Sequence, residues 1–341
     1  MARRPLALLL ALVSLVVLVA ATACGDDSSN STTPAASPSV AASASSSAGS
    51  SPSVSATSYP VTVTDLLGRK VEIKQKPTTV VALSPTAVEF VYAAGGKVVG
   101  RTDTATYPDA AKQAEDIGSA YQPAMDKVLA LKPDLVVADS VIDAQPQLKD
   151  AITNLGVPVI FAGVDSYQKV IDGLNLMGQV FDSKATTDAL ITQVTKARDD
   201  AKAAVASKSL SAVALIMDQD QTIYAAKDDS YAGDILKQVG ISNPASALPD
   251  SGPFPGYTTL APEKLVEYNP DYIFTISPGA PQAPLLSTII PTIPAFKNLK
   301  AVTTTGHIVE APIELLEAPG PRIIDAFKAI QAAVAGSKSG S

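Results

Sequence analysis

The amino-acid sequence predicts an α/β protein with two lobes that are joined by a single long helix. Three observations support this prediction. Short β-branched runs alternate with helical patterns from residue 59 onward, which is typical of parallel or mixed sheets covered by helices. The segment 182–209, which has no Gly or Pro, separates two such blocks. A pattern of residues from the first block recurs in the second, as expected of related lobes.

Composition narrows the classes of function that remain open. The chain has 341 residues, with 26 Lys and Arg against 33 Asp and Glu, a formal net charge of −7. This balance argues against a nucleic-acid-binding protein, which needs a basic face. One Cys and one His rule out an internal disulfide, a Cys-based zinc site and a two-His metal site. We therefore expect no cofactor and no metal bound directly by the chain.

The N-terminus has the pattern of a secretory signal. Residues 1–23 contain Arg3 and Arg4, continue as an apolar run and end in small residues before Cys24. The segment 19–24, VAATAC, resembles the lipobox of bacterial lipoproteins, whose Cys is lipidated and becomes the mature N-terminus. The resemblance implies a protein anchored by a lipid at Cys24 on the extracytoplasmic face of the cell membrane. An uncleaved anchor or an ordinary signal peptide is the alternative.

Residues 24–58 form a second segment that is not expected to fold. From residue 25 to 58 there is no aromatic residue and no Lys or Arg, and Ser, Ala, Thr and Pro dominate. Such a composition cannot bury enough apolar surface to offset the conformational entropy of an ordered chain. We predict a flexible tether between the anchor and the folded body.

The N-terminal lobe is predicted over residues 59–181. It opens with a β-hairpin, because two β-rich runs flank Leu67 and Gly68, which indicate a turn. Buried strands separated by helices follow. The predicted strands are 61–65, 69–73, 80–83, 98–99, 135–137 and 158–161, and a helix is predicted at 87–94.

A connecting helix over 182–209 and a C-terminal lobe over 210–336 complete the body. The connecting segment is rich in Ala and Lys, and Asp182 or Ser183 is suited to be its N-cap. A helix of about 25 residues would be roughly 37 Å long, more than one lobe needs, so we expect it to join both lobes. The predicted strands of this lobe are 212–217, 222–224, 272–276 and 307–309, and its predicted helices are 231–239, 262–268 and 322–334.

An internal repeat relates the two lobes. The stretch 126–137, DKVLALKPDLVV, has its counterpart in 263–274, EKLVEYNPDYIF. In both copies an acid in the first helical turn is favoured by the helix dipole, and Pro ends the helix before a buried strand. The distance in sequence from the acid to the Pro is the same in both copies, which supports equivalent positions in related lobes.

Longer motifs resemble one protein family. The segments are VVALSPTAVE (80–89), GGKVVG (95–100), YP (107–108), IG (117–118), LALKPDLVV (129–137) and PGPRIIDAF (319–327). In this order, over residues 59–336, they resemble the periplasmic-binding proteins of iron-siderophore, haem and vitamin B12 importers. The resemblance implies two Rossmann-like lobes bridged by a helical backbone. It also implies a monomer that captures a bulky metal chelate between its lobes and delivers it to an ABC permease with its ATPase.

The resemblance assigns roles to four residues. Asp126 and Glu263 match the family's two carboxylates that dock on permease arginines, and ordinary acids at helix starts are the alternative. Tyr121 and Tyr257 precede these acids by a few residues. They are expected to face each other at the cleft rim and grip the ligand, with structural packing as the alternative.

Further candidate contacts are cationic or aromatic. Arg101 and Arg322 lie in segments that approach the cleft in the family, and their guanidinium groups suit siderophore carboxylates or catecholates. Structural pairing with Asp103 or Glu317 is the alternative. Tyr231, at the start of a helix in the C-terminal lobe, is a weaker candidate.

Other classes of protein fit the sequence less well. The chain has no G-x-S-x-G, G-x-G-x-x-G or P-loop motif, so we predict no enzyme. A sensory or adhesion lipoprotein without a transport role is the main alternative. Among ligands, ferric siderophore is favoured because of the family, cobalamin follows because of the two tyrosines, and haem is also open. His307 is expected to be structural rather than a ligand.

Overall fold

The computed structural model describes residues 59–163, 165–218, 220, 222–251, 255–277, 284–311 and 319–336. The predicted signal segment, the tether and Cys24 lie outside these residues. The described residues belong to one compact unit. Within them, no helix combines the length and the apolar character that crossing a lipid bilayer requires.

The N-terminal lobe is built on a five-stranded parallel sheet. Its strands are β1 (Val61–Thr64), β2 (Lys70–Ile73), β3 (Val80–Ala82), β4 (Val98–Arg101), β5 (Glu115–Asp116), β6 (Gly118–Ser119), β7 (Gln122–Pro123), β8 (Leu135–Asp139) and β9 (Val159–Gly163). Its helices are α1 (Pro85–Ala93), α2 (Met125–Ala130), α3 (Ser140–Asp143), α4 (Pro146–Thr153) and α5 (Tyr167–Val180). The sheet order is β5-β4-β3-β8-β9. The pairs β1–β2, which confirms the predicted opening hairpin, and β6–β7 are antiparallel.

The C-terminal lobe is built on a mixed sheet and follows the connecting helix α6 (Lys184–Val205). Its strands are β10 (Ala212–Met217), β11 (Ile223–Ala226), β12 (Tyr257–Thr259), β13 (Tyr272–Ile276) and β14 (Ile308–Glu310). Its helices are α7 (Tyr231–Gln238), α8 (Pro262–Tyr268), α9 (Leu286–Ile289), α10 (Lys300–Thr303) and α11 (Ile323–Gly336). The sheet order is β12-β11-β10-β13-β14, with β11 antiparallel to both of its neighbours.

Serine side chains fix where three of the helices begin. Ser84 Oγ accepts a hydrogen bond from the N–H of Ala87 at 3.0 Å, and Ser230 Oγ accepts one from the N–H of Gly233 at 3.1 Å. Ser166 makes the equivalent bond at the start of α5, at 3.4 Å. Each bond satisfies an amide that has no partner inside the helix, so these serines set the start of α1, α5 and α7.

The connecting helix α6 is shorter than predicted. It has 22 residues, about 33 Å at the usual rise, and lies inside the predicted range 182–209. Asp182 and Ser209 have φ values of 48° and 47°, which a right-handed helix cannot contain. Backbone conformation at both ends therefore limits the helix more closely than its composition does.

One hydrophobic core runs through both lobes. It includes the buried face of α6, with Val194, Ala197 and Ala201, and side chains from the sheets on either side. The ring of Tyr167 meets the ring of Phe327 edge to face, with centroids 5.9 Å apart. Burial of this shared apolar surface joins the lobes around α6 and α11.

The structure places the two copies of the repeat in equivalent positions. Asp134 accepts hydrogen bonds from Thr78 and from the N–H of Thr79 at 2.9–3.0 Å, just before β3. Asp271 accepts bonds from the N–H and the hydroxyl of Ser211 at 2.9 and 3.0 Å, just before β10. Each of these repeat aspartates therefore ties the start of its own strand to the first strand of its lobe's five-stranded sheet.

Candidate ligand cleft and docking surface

Each lobe has a topological switch point in its five-stranded sheet. The strands that follow the first sheet strand in sequence are added on one side of it, and the later strands are added on the other side. The switch point lies between β3 and β8 in the N-terminal lobe and between β10 and β13 in the C-terminal lobe. Ligands of open α/β sheets bind outside the carboxyl ends of the strands at such points. The loops that follow these strands therefore form the candidate cleft.

The switch point of the N-terminal lobe is closed by buried polar groups. Ser84 Oγ donates a hydrogen bond of 2.6 Å to Asp139 Oδ2, and both side chains are buried. Gly163 ends β9 beside them, where an added Cβ would lie 2.7 Å from Thr86 Cγ2. The neighbouring loops, after β4 and in the β6–β7 hairpin, are therefore the candidate source of ligand contacts in this lobe.

The switch point of the C-terminal lobe carries an ionised carboxylate. Asp218 follows β10 and accepts hydrogen bonds from the N–H groups of Thr222 and Asp220 at 2.8 and 3.0 Å and from the Tyr224 hydroxyl at 2.9 Å. Desolvation acts to raise the pKa of Asp218, but these hydrogen bonds outweigh it and hold the pKa below its ordinary value. Donation to Asp218 raises the pKa of Tyr224 in turn.

Glu310 is a second carboxylate at the carboxyl edge of this sheet. It ends β14 and accepts hydrogen bonds from the N–H groups of Ser277 and Ser287 at 3.0 and 3.2 Å, and from the Thr275 hydroxyl at 2.8 Å. Burial favours the neutral acid, but the donors from Ser277, Ser287 and Thr275 prevail and lower the pKa of Glu310. The edge of the C-terminal lobe is therefore negatively charged at neutral pH.

The three tyrosines predicted to contact ligand lie in different environments. Tyr121 is 72% exposed at the turn of the β6–β7 hairpin. Tyr257 is half-buried in β12 and packs against the core. Tyr231, which follows the N-cap Ser230, is buried in that core. Of the three, Tyr121 offers the largest free aromatic surface, and ligand contact stays a prediction for all of them.

Arg101, at the end of β4, is engaged with its own backbone. Its Nη1 donates hydrogen bonds to the carbonyl oxygens of Thr102 at 2.8 Å and Asp103 at 3.2 Å, and its Nε is buried. The alternative of pairing with Asp103 therefore takes a different form, because the acceptor is the carbonyl and not the carboxylate.

Arg322 joins the two lobes through Glu89, for which the sequence predicts no role. Its Nε and Nη2 both donate to Oε1 of the buried Glu89 in α1, at 2.9 and 2.5 Å. Its guanidinium lies 4.4 Å from the centre of the Tyr107 ring. Glu317, its predicted alternative partner, lies outside the described residues.

A signal for Glu89 is present in the sequence. It is an acid within the apolar stretch Ala87-Val88-Glu89-Phe90-Val91 of α1. A carboxylate on a buried helical face needs a paired charge, so this position predicts a cationic partner without identifying it. Glu89, Tyr107 and Arg322 also line a cavity of about 570 Å³ between α1, α6 and α11.

The predicted docking carboxylates occupy equivalent, accessible positions. Asp126 is in the first turn of α2 and Glu263 is in the first turn of α8, and both are exposed. Two exposed acids fixed on related helices are suited to orient this protein on a basic partner. Their docking role stays a prediction.

His307 has structural partners. Its Nδ1 lies 2.7 Å from the carbonyl oxygen of Asp271, and its ring stacks on Tyr272 with centroids 4.0 Å apart. Both contacts are at the amino ends of β13 and β14, away from the carboxyl edge of the sheet. Across the described ranges, no group of three or more His, Cys, Asp or Glu is arranged to hold a metal ion.

Two α/β lobes with switch points, joined through a continuous helix, define a two-lobed substrate-binding protein. The profile of the periplasmic binding protein family matches residues 80–314, more than half of the chain, so the chain belongs to this family. It is a substrate-binding protein of an ABC importer and not an enzyme. The predictions of family and fold class are confirmed.

Two relatives and one solved structure illustrate the match. The uncharacterized ABC transporter substrate-binding lipoprotein YvrC of Bacillus subtilis (strain 168) is 31% identical over 228 residues, which cover 64% of this chain and 69% of that protein. The vitamin B12-binding protein of Salmonella choleraesuis (strain SC-B67) is 33% identical over 95 residues, 28% of this chain and 35% of that protein. The petrobactin-binding protein YclQ of Bacillus subtilis has the same fold, with a TM-score of 0.70, 20% identity, and coverage of 80% of this chain and 98% of that chain.

Proposed function

We propose that this protein captures a bulky metal chelate between its lobes and delivers it to an ABC permease as a monomer. The observation that carries the proposal is the two-lobed fold, in which each lobe offers the carboxyl edge of a sheet at a switch point. One His and one Cys exclude a two-His site and a multi-Cys site, which supports a metal that arrives inside its own chelator. Ferric siderophore is the first candidate, and cobalamin and haem follow.

The relatives support this range of ligands. YclQ, whose fold this chain shares, is a petrobactin-binding protein, and the Salmonella relative is a vitamin B12-binding protein. Tyr121 is suited to cover a flat face of such a ligand, because its ring is exposed beside the candidate cleft. Tyr257, which is half-buried in β12, is the corresponding candidate ligand contact on the opposite lobe.

Delivery requires that the carrier be held at the membrane and recognised by its permease. The lipobox-like segment before Cys24 supports a lipid anchor on the extracytoplasmic face, and the B. subtilis relative is a lipoprotein by name. The exposed Asp126 and Glu263 support docking by one carboxylate on each lobe.

Ligand titration of the purified protein tests the proposal. Ferric siderophores, cyanocobalamin and haem are added while tyrosine fluorescence and melting temperature are followed. A true ligand should raise the melting temperature, since it binds the native state alone. The Tyr121→Ala variant should weaken binding about tenfold by removing a stacking face. Leu129→Ala, which shortens an exposed apolar side chain of α2, is the matched control. Absence of any response to all chelates would contradict the proposal.

Docking is tested separately, with the permease and its ATPase in vesicles. Glu263→Gln and Asp126→Asn should reduce carrier-stimulated ATP hydrolysis while ligand affinity stays unchanged, because a docking carboxylate contacts the permease and not the ligand. Glu267→Gln, which changes another exposed acid of α8, is the control. Equal stimulation by all variants would contradict the docking role.

A further inference from the structure

The two arginines that the sequence places near the candidate cleft are already engaged. The strand ends are defined here as the last residue of each strand that has a parallel neighbour and the three residues that follow it in the sequence. By sequence, these strand ends contain Arg101 and no other Lys or Arg, including the positions outside the described residues. Arg322 is the other arginine that the sequence places near the cleft. The state of these two guanidinium groups therefore decides whether an arginine can clamp an anionic ligand in the cleft.

Arg101 has no accessible edge with two free donors. A guanidinium recognises a carboxylate or a catecholate best through two adjacent N–H groups. Its Nη1 is committed to the carbonyl oxygens of Thr102 and Asp103, and its buried Nε closes the other edge. Arg101 is therefore positioned to stabilise the loop after β4.

Arg322 uses its two-donor edge inside the protein. Nε and Nη2 both donate to Glu89, and the ring of Tyr107 covers one face of the guanidinium. Releasing Arg322 toward a ligand would leave the buried Glu89 carboxylate without this cation, at a large cost in free energy. An anionic ligand would have to compete with that internal pair.

Carboxylates predominate at the same strand ends. The acids at these strand ends are Asp103, Asp116, Asp139, Asp165, Asp218, Asp220 and Glu310. Of these, Asp103, Asp116 and Asp165 of the N-terminal lobe and Asp220 of the C-terminal lobe are exposed. A cleft lined by one sign of charge repels ligands of that sign and raises the local concentration of the opposite sign.

We propose that the cleft selects metal chelates that carry no net negative charge. Uncharged or cationic ferric trihydroxamates and corrinoids share this property, whereas tricatecholate and carboxylate siderophores and haem are anionic. This inference rests on the proposed function and narrows its range of ligands. The polar donors and acceptors of the cleft loops would hydrogen-bond the amide groups of such a chelate without a charged clamp.

The experiment compares chelates of different charge on the purified full-length protein in one buffer. The probes are an uncharged ferric trihydroxamate, cyanocobalamin, a ferric tricatecholate and haem. Binding of the trihydroxamate or of cyanocobalamin should be about a hundredfold tighter than that of the tricatecholate or haem. The first two probes distinguish a siderophore from a corrinoid. Tighter binding of an anionic probe would overturn the inference and leave the proposed function intact. Absence of binding by all four would overturn both.

Charge reversal at the rim gives a second measurement. The double variant Asp103→Lys, Asp220→Lys should improve tricatecholate binding about tenfold at low salt, and less at high salt because of screening. The matched control is Glu72→Lys, Asp150→Lys, which changes two exposed acids away from the strand ends and alters net charge equally. Equal improvement in the control pair would show that total charge, and not the cleft, decides binding, and would overturn the inference.

Discussion

The two lobes share a frame and differ where a ligand would be met. In both, a first strand is held by a repeat aspartate, Asp134 or Asp271, and lies between one pair of strands on each side. At the switch point the N-terminal lobe has the buried Ser84–Asp139 pair, whereas the C-terminal lobe has Asp218 in a half-exposed loop. The repeat therefore preserves the aspartate that holds the first sheet strand and leaves the loops after the strands free to vary.

The five-stranded sheets of the two lobes also differ, in the direction of the strand that follows the first sheet strand. β4 runs parallel to β3, whereas β11 returns antiparallel beside β10 through a short connection that contains Asp218 and Thr222. An antiparallel return needs only a few residues, whereas a parallel one needs a crossover. The C-terminal lobe therefore places a polar turn at its switch point, where the N-terminal lobe places the start of a helix.

The largest expected effect comes from separating the lobes at the Glu89–Arg322 pair. Arg322→Ala removes the guanidinium from a buried carboxylate, and we expect the free energy of unfolding in urea to fall by about 3 kcal/mol. The double variant Glu89→Leu, Arg322→Leu removes both charges and should recover much of that loss. A single variant that unfolds at the same urea concentration as the unmodified protein would show that the pair does not hold the lobes together.

The repeat aspartates give the next largest effect and test whether the two lobes are energetically alike. Asp134→Ala and Asp271→Ala should each lower the free energy of unfolding by about 2 kcal/mol, because hydrogen-bond donors lose their acceptor. These donors are two backbone amides and a hydroxyl at Asp134, and one amide and one hydroxyl at Asp271. The corresponding Asn variants retain an acceptor oxygen and should lose less. If the free energies of unfolding of the two Ala variants differ by more than about 2 kcal/mol, Asp134 and Asp271 are equivalent in geometry but not in their contribution to stability.

Acid titration should show that two carboxylates of the C-terminal lobe, Asp271 and Glu310, stabilise the fold when they are ionised. Burial opposes ionisation of Asp271 and Glu310, but their hydrogen-bond donors outweigh it, so each pKa is lower when folded. A lowered folded pKa contributes stability that is present above the unfolded pKa, about 4, and is lost as the pH falls through the folded value. The Asp271→Asn and Glu310→Gln variants should therefore show a flatter loss of melting temperature below about pH 4. An unchanged slope would contradict this assignment.

Much of the arrangement of strands and helices can be predicted from the sequence, because hydrophobic periodicity and the positions of Pro depend directly on these elements. The strands 212–217 and 272–276 and the helix 262–268 have the predicted bounds. The strands β5, β6, β7 and β12 have two or three residues each, too few to show alternation.

The candidate site was less accessible to prediction, since its contacts cross long stretches of sequence. Arg322 was identified, but its partner Glu89 lies 233 residues away. Exposure of Tyr121 and burial of Tyr231 likewise depend on packing, which residue type alone does not report. Local patterns therefore define the elements, and the tertiary arrangement decides which side chains remain free.

The smallest expected effect concerns the residue before each repeat Pro. Lys132 and Asn269 occupy the same position and have φ values of 49° and 41°, in the left-handed region that Asn tolerates better than Lys. Lys132→Asn should therefore stabilise the N-terminal lobe by about 0.5 kcal/mol in urea unfolding. Asn269→Lys should destabilise by more than this, because Asn269 Oδ1 also accepts the N–H of Lys300 at 2.8 Å. Lys74→Asn, at an exposed position without a positive φ, is the control, and an equal gain there would remove backbone strain as the cause.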